Sequence, residues 1–347
     1  FVHHPFGRPV EGIAQKARGV LRQGADAQLD GADGVELVRQ IGGDDADELE
    51  GGADHDTLLG GAGNDLLSGG TGNDLLDGGT GAQDTASYAY AAGNVIVDLT
   101  LAGAQTVADQ DRDTLSSIEN LVGSNGNDVL RGSAQINRLE GGAGDDELAG
   151  RAGDDILLGG AGDDTLLGGQ GADYLIGGLS QSDTTPSPGA GRNTASYADA
   201  SRTTIDGDTS AGVVASLAAP GDNRGEYAAG DLYVNIQNLV GSAFNDRLTG
   251  DAQDNVLAGG DGNDTLSGGA GGDRLIGGAG NDSAIYAEQD NLIIDLVDGS
   301  GSGDARGDTF EGIEIIRATA SSSGDIFIAG ANAHEMQGGA GTDTVSY

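Results

Sequence analysis

Aliphatic residues recur at every ninth position through the middle of the chain, separated by glycines and aspartates. Residues 159–167 show the pattern as Gly-Gly-Ala-Gly-Asp-Asp-Thr-Leu-Leu, which generalises to Gly-Gly-x-Gly-x-Asp-x-apolar-x. Copies of this unit run in unbroken register from Gly141 to about Ile176. Such a strict short period predicts a solenoid, in which each unit buries its apolar side only by stacking on the next one.

Each unit predicts one tight turn followed by one short strand. Glycines at positions one, two and four permit positive φ or crowded backbone, so the chain can turn tightly and direct carbonyl oxygens inward. The last three residues, x-apolar-x, predict a strand with one inward side chain. Two units therefore make one flattened coil of turn, strand, turn and strand, and the predicted fold class is an all-β solenoid.

The aspartate at position six adds a hard anionic oxygen beside the carbonyl oxygens of the turn. Oxygen donors at this density suit Ca²⁺ better than Zn²⁺ or copper, which would require His or Cys. The expected metal ligands at position six are Asp47, Asp56, Asp65, Asp74, Asp128, Asp146, Asp155, Asp164, Asp173, Asp246, Asp264, Asp273 and Asp282. The expected ligands at positions two and four are Gly61, Gly63, Gly70, Gly72, Gly142, Gly144, Gly160, Gly162, Gly169, Gly171, Gly260, Gly262, Gly269 and Gly271.

On these residues the chain resembles the RTX (haemolysin-type) calcium-binding nonapeptide family. Repeats of that family form a parallel β-roll, with Ca²⁺ held between turns stacked on the same edge. A carboxylate from one turn and one from the turn two repeats later share an ion there with glycine-rich backbone carbonyls. The resemblance covers most of the chain, directly or in degenerate form, and implies a parallel β-roll that binds several calcium ions.

Interruptions of the period divide the chain into eight expected segments. They are an N-terminal non-repeat segment with a short helix (1–41), a first roll (42–83), a β-rich connector (84–122), a second roll (123–182), a β-rich connector with a long loop (183–240), a third roll (241–285), a β-rich connector (286–319) and a truncated fourth roll (320–347). The helix is expected over residues 9–22, where apolar residues follow helical spacing, and it would cap the first coil.

Two further features recur from tract to tract. Tyrosines stand at equivalent places where the rolls meet the connectors, at positions 88, 197, 286 and 347. We interpret them as plugs of these junctions, the alternative being that they stack on sugar rings. The second unit of the later tracts has Asn137, Asn255 and His334 in place of the aspartate, so we expect the first turns of each tract to bind calcium poorly or through fewer charges.

The large excess of acidic residues predicts that folding depends on cation binding. The chain has 16 Lys and Arg against 56 Asp and Glu, a net charge of −40. This charge opposes compaction unless a cation binds, so we expect folding and calcium binding to be one event. It also argues against nucleic acid as a partner, because phosphates would be repelled.

The remaining composition limits the function classes. With 4% aromatic residues and no Trp, the core must be a narrow stack of aliphatic side chains. No apolar run approaches the roughly 20 residues that span a bilayer. No Gly-x-Ser-x-Gly, His-Glu-x-x-His or cysteine nucleophile is present, so we expect no enzyme activity from this chain. Since it begins with Phe1 and shows no signal peptide, we expect a piece of something longer.

The expected function is a calcium-binding structural or adhesive module of a secreted bacterial protein, folding on calcium binding outside the cell. The resemblance also implies type I secretion, an extracellular location and association with the cell surface. One alternative is an auxiliary module of an extracellular enzyme, such as a polysaccharide-modifying enzyme, lipase or protease, whose catalytic domain lies outside this chain. Another is a self-assembling protein of a surface layer or filament. The expected partners are calcium and either cell-surface polysaccharide or other copies of the chain.

Overall fold

The computed structural model describes residues 26–30, 37–107, 111–178, 191–286, 292–297, 301–318, 324–329 and 335–346. These residues form strands and turns, with two single-turn 3₁₀ helices at Pro220–Asp222 and Gly303–Ala305. The chain divides into two compact units, Phe1–Val122 and Gly123–Tyr347. The helix expected over residues 9–22, residues 180–190 of the long loop expected over Ser180–Gly191, His334 and Tyr347 lie outside the described residues.

Ten of the eleven described strands of the first unit lie in two sheets. Its strands are β1 (Asp26–Asp30), β2 (Leu37–Gly43), β3 (Glu48–Ala53), β4 (Thr57–Gly61), β5 (Leu66–Thr71), β6 (Leu75–Gly79), β7 (Thr85–Ser87), β8 (Ile96–Asp98), β9 (Gln105–Thr106), β10 (Arg112–Ser116) and β11 (Asn120–Val122). One sheet has the order β1-β2-β4-β6-β10-β9 and the other contains β3-β5-β7-β11, whereas β8 lies in neither. The β1–β2 and β9–β10 pairs are antiparallel, whereas the repeat strands pair in parallel.

The second unit, taken by itself, has the same plan. Its strands are β12 (Val129–Arg131), β13 (Arg138–Ala143), β14 (Glu147–Ala152), β15 (Ile156–Ala161), β16 (Thr165–Gln170), β17 (Tyr174–Ile176), β18 (Thr194–Ser196), β19 (Thr203–Ile205), β20 (Asp208–Ser216), β21 (Leu232–Val234), β22 (Asn238–Val240), β23 (Asn245–Thr249), β24 (Val256–Asp261), β25 (Thr265–Ser267), β26 (Arg274–Ala279), β27 (Ser283–Tyr286), β28 (Ile293–Asp295), β29 (Thr309–Glu311), β30 (Ile315–Ala318), β31 (Ile326–Ile328), β32 (Glu335–Gln337) and β33 (Thr344–Ser346). The strand orders are β13-β15-β17-β21, β12-β14-β16-β18-β22-β24-β26-β29, β19-β20-β23-β25-β27-β30-β32 and β28-β31-β33.

Consecutive repeat strands alternate between two sheets, and each strand pairs with the strand that lies two nine-residue repeats away. Leu148 of β14 stands opposite Leu166 of β16, and Leu139 of β13 stands opposite Leu157 of β15, in parallel register. One full coil therefore consists of two nine-residue units. This arrangement confirms the predicted turn, strand, turn and strand, and the fold is a parallel β-roll.

The core is a stack of one aliphatic side chain per repeat strand. In β16 the central Leu166 is fully buried, while Thr165 and Leu167 on either side are partly exposed. The position-eight leucines are buried throughout the repeats, and in β15 and β17 the following Leu158 and Ile176 are buried as well. These leucines are Leu49, Leu58, Leu67, Leu76, Leu130, Leu139, Leu148, Leu157, Leu166, Leu175, Leu248, Leu257, Leu266 and Leu275. The alternation of buried and partly exposed positions is that of strands with one face on a core.

The connectors preserve the stack. The strand at the start of each connector pairs in parallel with the strand at its end, with Ala86 opposite Leu121, Ala195 opposite Leu239, and Ala284 opposite Ile316. Between these two strands, each connector adds one strand to the other sheet in parallel register, with Leu115 opposite Leu76, Tyr233 opposite Leu175, and Phe310 opposite Leu275. The division into eight segments stays a prediction.

Candidate metal sites

The position-six aspartates are buried inside the turns. Asp155 and Asp164, for example, are each 1% exposed. Removing a carboxylate from water costs several kcal/mol unless hydrogen bonds and an opposite charge compensate for it. The buried set contains every expected position-six ligand, namely Asp47, Asp56, Asp65, Asp74, Asp128, Asp146, Asp155, Asp164, Asp173, Asp246, Asp264, Asp273 and Asp282.

One oxygen of these carboxylates accepts a hydrogen bond from the preceding coil. The backbone N–H of Asp146 donates to Oδ1 of Asp164 over 3.0 Å, and the backbone N–H of Asp155 donates to Oδ1 of Asp173 over 2.8 Å. The partners are 18 residues apart, so the bonds connect turns stacked on one edge. We call these rows the position-six ladders. Further rungs join Asp47 to Asp65, Asp56 to Asp74, Asp128 to Asp146, Asp246 to Asp264, Asn255 to Asp273 and Asp264 to Asp282.

The second oxygen has no donor in most of these turns. Oδ2 of Asp164 is buried and accepts no hydrogen bond from any residue that the structure describes. The same is true of Oδ2 in Asp47, Asp65, Asp74, Asp84, Asp146, Asp155, Asp173, Asp264, Asp273 and Asp282. A row of buried anionic oxygens without donors is unstable by itself, so the chain alone does not satisfy these turns.

Burial raises the pKa values of several of these carboxyl groups. Burial raises the pKa of Asp146 to about 8, although the hydrogen bond from the Asp128 backbone opposes this and neighbouring aspartates add to it. Burial likewise raises the pKa of Asp155 and of Asp164 to about 7. Near neutral pH these groups therefore ionise only at a free-energy cost unless a cation is close.

Glycine at position one makes room for the carboxylate. The chain folds back so that Oδ2 of Asp164 lies 2.2 Å from the place where a Cβ on Gly159 would stand. Any larger residue at Gly159 would displace the carboxylate.

Glycines at positions two and four bring the stacked turns close together. Gly160 has a φ of +115°, and a Cβ there would lie 2.1 Å from the carbonyl oxygen of Gly142. Carbonyl oxygens of one coil thus face the same positions of the next coil. Positive φ is found at every expected glycine of this kind, namely Gly61, Gly63, Gly70, Gly72, Gly142, Gly144, Gly160, Gly162, Gly169, Gly171, Gly260, Gly262, Gly269 and Gly271.

The donor set selects a hard cation. Across the part of the chain that the structure describes, no group of three or more His, Cys, Asp or Glu side chains could hold a metal ion. Backbone carbonyl oxygens lie beside the carboxylates, since Oδ2 of Asp146 and the carbonyl oxygen of Gly159 stand 2.2 and 2.6 Å from the place of a Cβ on Gly141. Carboxylate and carbonyl oxygens in flexible number are the ligands that Ca²⁺ accepts, so the residues present fit calcium.

The spacing and the buried aspartates together match a known repeat. The model of the RTX calcium-binding nonapeptide repeat, which spans four copies of the unit, matches residues 41–76, 122–157, 149–180, 236–266, 249–284 and 267–291. These are RTX calcium-binding nonapeptide repeats. RTX repeats bind calcium, so several copies imply several ions. They are typical of structural modules and characteristic of secreted bacterial proteins. No curated protein matches the chain.

The RTX turns carry a second ladder that sequence reasoning missed. The backbone N–H of Asp163 donates to Oδ1 of Asp145 over 2.9 Å, and the backbone N–H of Asn281 donates to Oδ1 of Asn263 over 2.8 Å. These position-five bonds join the same stacked turns as the position-six ladders, but here the acceptor precedes the donor in the chain. The signal was present in the sequence, because position five is Asp or Asn in most RTX units.

At the far end of each roll, an aspartate from a connector continues one position-six ladder. The backbone N–H of Asp74 donates to Oδ1 of Asp113 over 2.9 Å. In the same way, the backbone N–H of Asp173 donates to Oδ1 of Asp231 over 3.0 Å, and that of Asp273 donates to Oδ1 of Asp308 over 2.8 Å. The connecting segments are long and irregular, with separations of 39, 58 and 35 residues. No fixed period could therefore have identified these three aspartates.

Buried tyrosines donate hydrogen bonds to two of these terminal aspartates. The hydroxyl of Tyr197 donates to Oδ2 of Asp231 over 2.7 Å, and that of Tyr286 donates to Oδ2 of Asp308 over 2.6 Å. Tyr88 is also buried, and its hydroxyl interacts electrostatically with Asp113. Their burial fits the interpretation of the tyrosines as plugs of the junctions.

The other position-six ladder ends on a glutamate or glutamine. The backbone N–H of Asp84 donates to Glu119 over 2.9 Å and that of Asp282 donates to Glu314 over 2.7 Å. In the second roll, the backbone N–H of Asn193 donates to Oε1 of Gln237 over 2.9 Å. The recurring Ile-Glu or Ile-Gln dipeptide of the connectors was the available signal for these ends.

Proposed function

We propose that this chain is a calcium-dependent structural module of a secreted RTX protein, which folds when calcium binds outside the cell. The observation that carries the proposal is the row of buried Oδ2 atoms, such as that of Asp164, which accept no hydrogen bond from the described residues. The ligands are the position-six carboxylates together with the carbonyl oxygens of the position-two and position-four glycines. Calcium supplies the positive charge that these oxygens lack.

The net charge supports export before folding. Where free calcium is scarce, a charge of −40 opposes compaction of the chain. Where calcium is abundant, each bound ion neutralises carboxylates in stacked turns and adds a rung to the roll. Among the described residues, no helix is long and apolar enough to cross a membrane.

A calcium titration tests the coupling between binding and folding. Chelated protein is titrated with Ca²⁺ and, in parallel, with Mg²⁺, and secondary structure is followed by far-UV circular dichroism. We expect a cooperative gain of β-structure with calcium alone, because Mg²⁺ requires near-ideal octahedral geometry and dehydrates reluctantly. A chelated chain that is already as β-rich and as heat-resistant as the calcium form would contradict the proposal. Light scattering in the same titration detects the self-association proposed for an adhesive or surface-layer protein.

A single substitution tests the ligand assignment. Asp164→Asn keeps an Oδ1 atom for the backbone N–H of Asp146 and removes the charge at Oδ2. We expect the calcium midpoint to rise by several fold. Asp163→Asn removes the same charge from the neighbouring exposed residue and should leave the midpoint nearly unchanged. Equal effects of the two variants would mean that overall charge matters and the position-six carboxylate does not.

A further inference from the structure

Most of the described turns of the rolls fall into two conformational classes. The open turns are residues 51–56, 60–65, 69–74, 141–146, 150–155, 159–164, 168–173, 259–264, 268–273 and 277–282, and their position-two residues, all glycine except Arg151, have positive φ. The closed turns are residues 123–128, 132–137, 241–246 and 250–255, which begin the second and third rolls. Their position-two residues are Ser124, Ser133, Ser242 and Asp251, and none of them has positive φ. Turn 42–47 belongs to neither class, because Gly43 lacks positive φ and both carboxylate oxygens of Asp47 lack a donor among the described residues.

In a closed turn the protein itself satisfies the position-six side chain. The backbone N–H of Ser124 donates to Oδ2 of Asp128 over 2.5 Å, and the Ser124 hydroxyl donates to Oδ1 over 2.9 Å. Ser242 makes the same contacts with Asp246, at 2.5 Å from its backbone N–H and 3.0 Å from its hydroxyl. The oxygen that lacks a donor in the open turns is therefore capped here.

Two closed turns have an asparagine in place of the position-six aspartate. The backbone N–H of Ser133 donates to Oδ1 of Asn137 over 2.6 Å, and that of Asp251 donates to Oδ1 of Asn255 over 2.8 Å. A neutral amide thus occupies the place of the aspartate and accepts the same bond. The closed geometry accordingly has no need of an anionic oxygen.

The open turns direct the equivalent N–H elsewhere. The backbone N–H of Gly160 donates to the carbonyl oxygen of Gly177 over 2.9 Å, in the next coil. Because position two has positive φ, this N–H bonds to the next coil and does not donate to the carboxylate of its own turn. Oδ2 of Asp164 is then left to an external cation.

We infer that the closed turns are calcium-independent caps, and that the residue at position two decides whether a turn takes calcium. The inference rests on the proposed calcium ligation of the open turns. Asp128 and Asp246 are then not calcium ligands. Ser124 and Ser242 donate the hydrogen bonds that satisfy these carboxylates in place of an ion. The tyrosine hydroxyls on Asp231 and Asp308 do the same at the far end of one ladder in the second and third rolls.

Counting the ions bound to the full chain tests the inference. Native mass spectrometry in calcium gives the number of ions for the wild type, Asp128→Asn and Asp164→Asn. We expect Asp128→Asn to keep the wild-type number, because Asn137 already shows that an amide fits a closed turn. Asp164→Asn, in an open turn, should lose at least one ion.

The outcomes separate the inference from the proposed function. A wild-type chain without calcium, or no loss from Asp164→Asn, would overturn both. Loss of an ion from Asp128→Asn as well as from Asp164→Asn would overturn the inference alone and leave the proposed function intact.

A gain of calcium gives an independent check. Ser124→Gly restores Gly-Gly-Asn-Gly-Asn-Asp at residues 123–128 with a single change. We expect this variant to bind one ion more than the wild type, since the serine hydroxyl is gone and position two becomes free to adopt positive φ. An unchanged number of ions in a variant with the wild-type circular dichroism spectrum would contradict the role given to position two.

Discussion

At the scale of the residue, position two of the RTX unit controls both the backbone and the chemistry of the turn. Glycine there adopts positive φ and lets the next coil approach, as at Gly160. Serine there takes ordinary backbone angles and caps the acid of its own turn, as at Ser124. One side chain thus separates a turn that requires a cation from one that does not.

Two glycines that differ in surroundings test how much the close approach matters. Gly52 has a φ of +109° with nothing within 4 Å of an added Cβ, whereas a Cβ on Gly160 would lie 2.1 Å from the carbonyl oxygen of Gly142. We expect Gly52→Ala to cost about 1 kcal/mol, from left-handed backbone alone. Gly160→Ala adds a steric overlap and should cost clearly more. Urea unfolding at saturating calcium measures both, and equal losses would show that the contact between coils is not limiting.

At the scale of the element, a repeat strand contributes one buried side chain to the core and little else. Leu67 of β5 is fully buried, and its neighbour Leu66 is 37% exposed. Because each coil contacts only the coils next to it, the stability of the roll is approximately a sum of such rungs. The loss of one inward side chain should therefore destabilise its own rung and the two beside it.

The neighbouring leucines of β5 provide a matched pair. We expect Leu67→Ala to lower the free energy of unfolding by about 2–5 kcal/mol, since a cavity is left in the stack. Leu66→Ala should cost less than about 1 kcal/mol, because this side chain already contacts water. Thermal unfolding in calcium distinguishes the two variants. Similar melting temperatures would contradict the assignment of a single core position per strand.

The tyrosine at the end of a roll allows a second test at this scale. Tyr286→Phe removes the hydroxyl that donates to Oδ2 of Asp308 but keeps the ring, which packs edge-on against Phe310. Leaving a buried carboxylate oxygen without its donor should cost about 1–3 kcal/mol. Tyr90→Phe serves as the control, since Tyr90 is 89% exposed, and its melting temperature should match that of the wild type.

At the scale of the whole molecule, the excess of acidic residues makes the folded state depend on what neutralises it. The buried position-six carboxylates concentrate negative charge along the turns, and burial raises the pKa of Asp146 to about 8 and that of Asp264 to about 7. Calcium and protons are alternative ways to relieve this charge. The two should therefore compete, and pH should act in opposite directions with and without calcium.

The calcium-free chain should gain structure on acidification. Its folded-state carboxyl pKa values lie above the unfolded value of 3.8. The ionised groups therefore penalise folding fully above about pH 8, and the penalty falls as protons bind below that. We expect circular dichroism of chelated protein to show more β-structure at about pH 5 than at about pH 8. At the same time the calcium midpoint should rise as the pH falls, because protons occupy the ligands.

Salt provides the control for this pH effect. Sodium chloride screens exposed charges but reaches buried ones much less. Added salt should therefore restore less structure to the calcium-free chain at about pH 8 than acidification does. If salt alone folded the chain, repulsion between surface charges would be the cause and the buried carboxylates would not be.

The short-range features of the roll could be predicted from the sequence because they depend on one unit or its nearest neighbour. Strand length, the single inward leucine and positive φ at glycines such as Gly160 all follow from the nine-residue period. The chemistry at position six follows from residue type, since repeated buried aspartates beside carbonyl oxygens favour a hard cation. These features are local, so the sequence by itself determined them.

Only the tertiary structure decided how the ladders end and which aspartates remain without donors. Asp113, Asp231 and Asp308 join the ladders across connectors of unequal length, and no period links them to their partners. The difference between Asp128 and Asp164 likewise depends on where one backbone N–H points, to its own turn or to the next coil. Both outcomes depend on how coils stack in space, so the same Asp in the sequence becomes a capped group in one turn and a candidate calcium ligand in another.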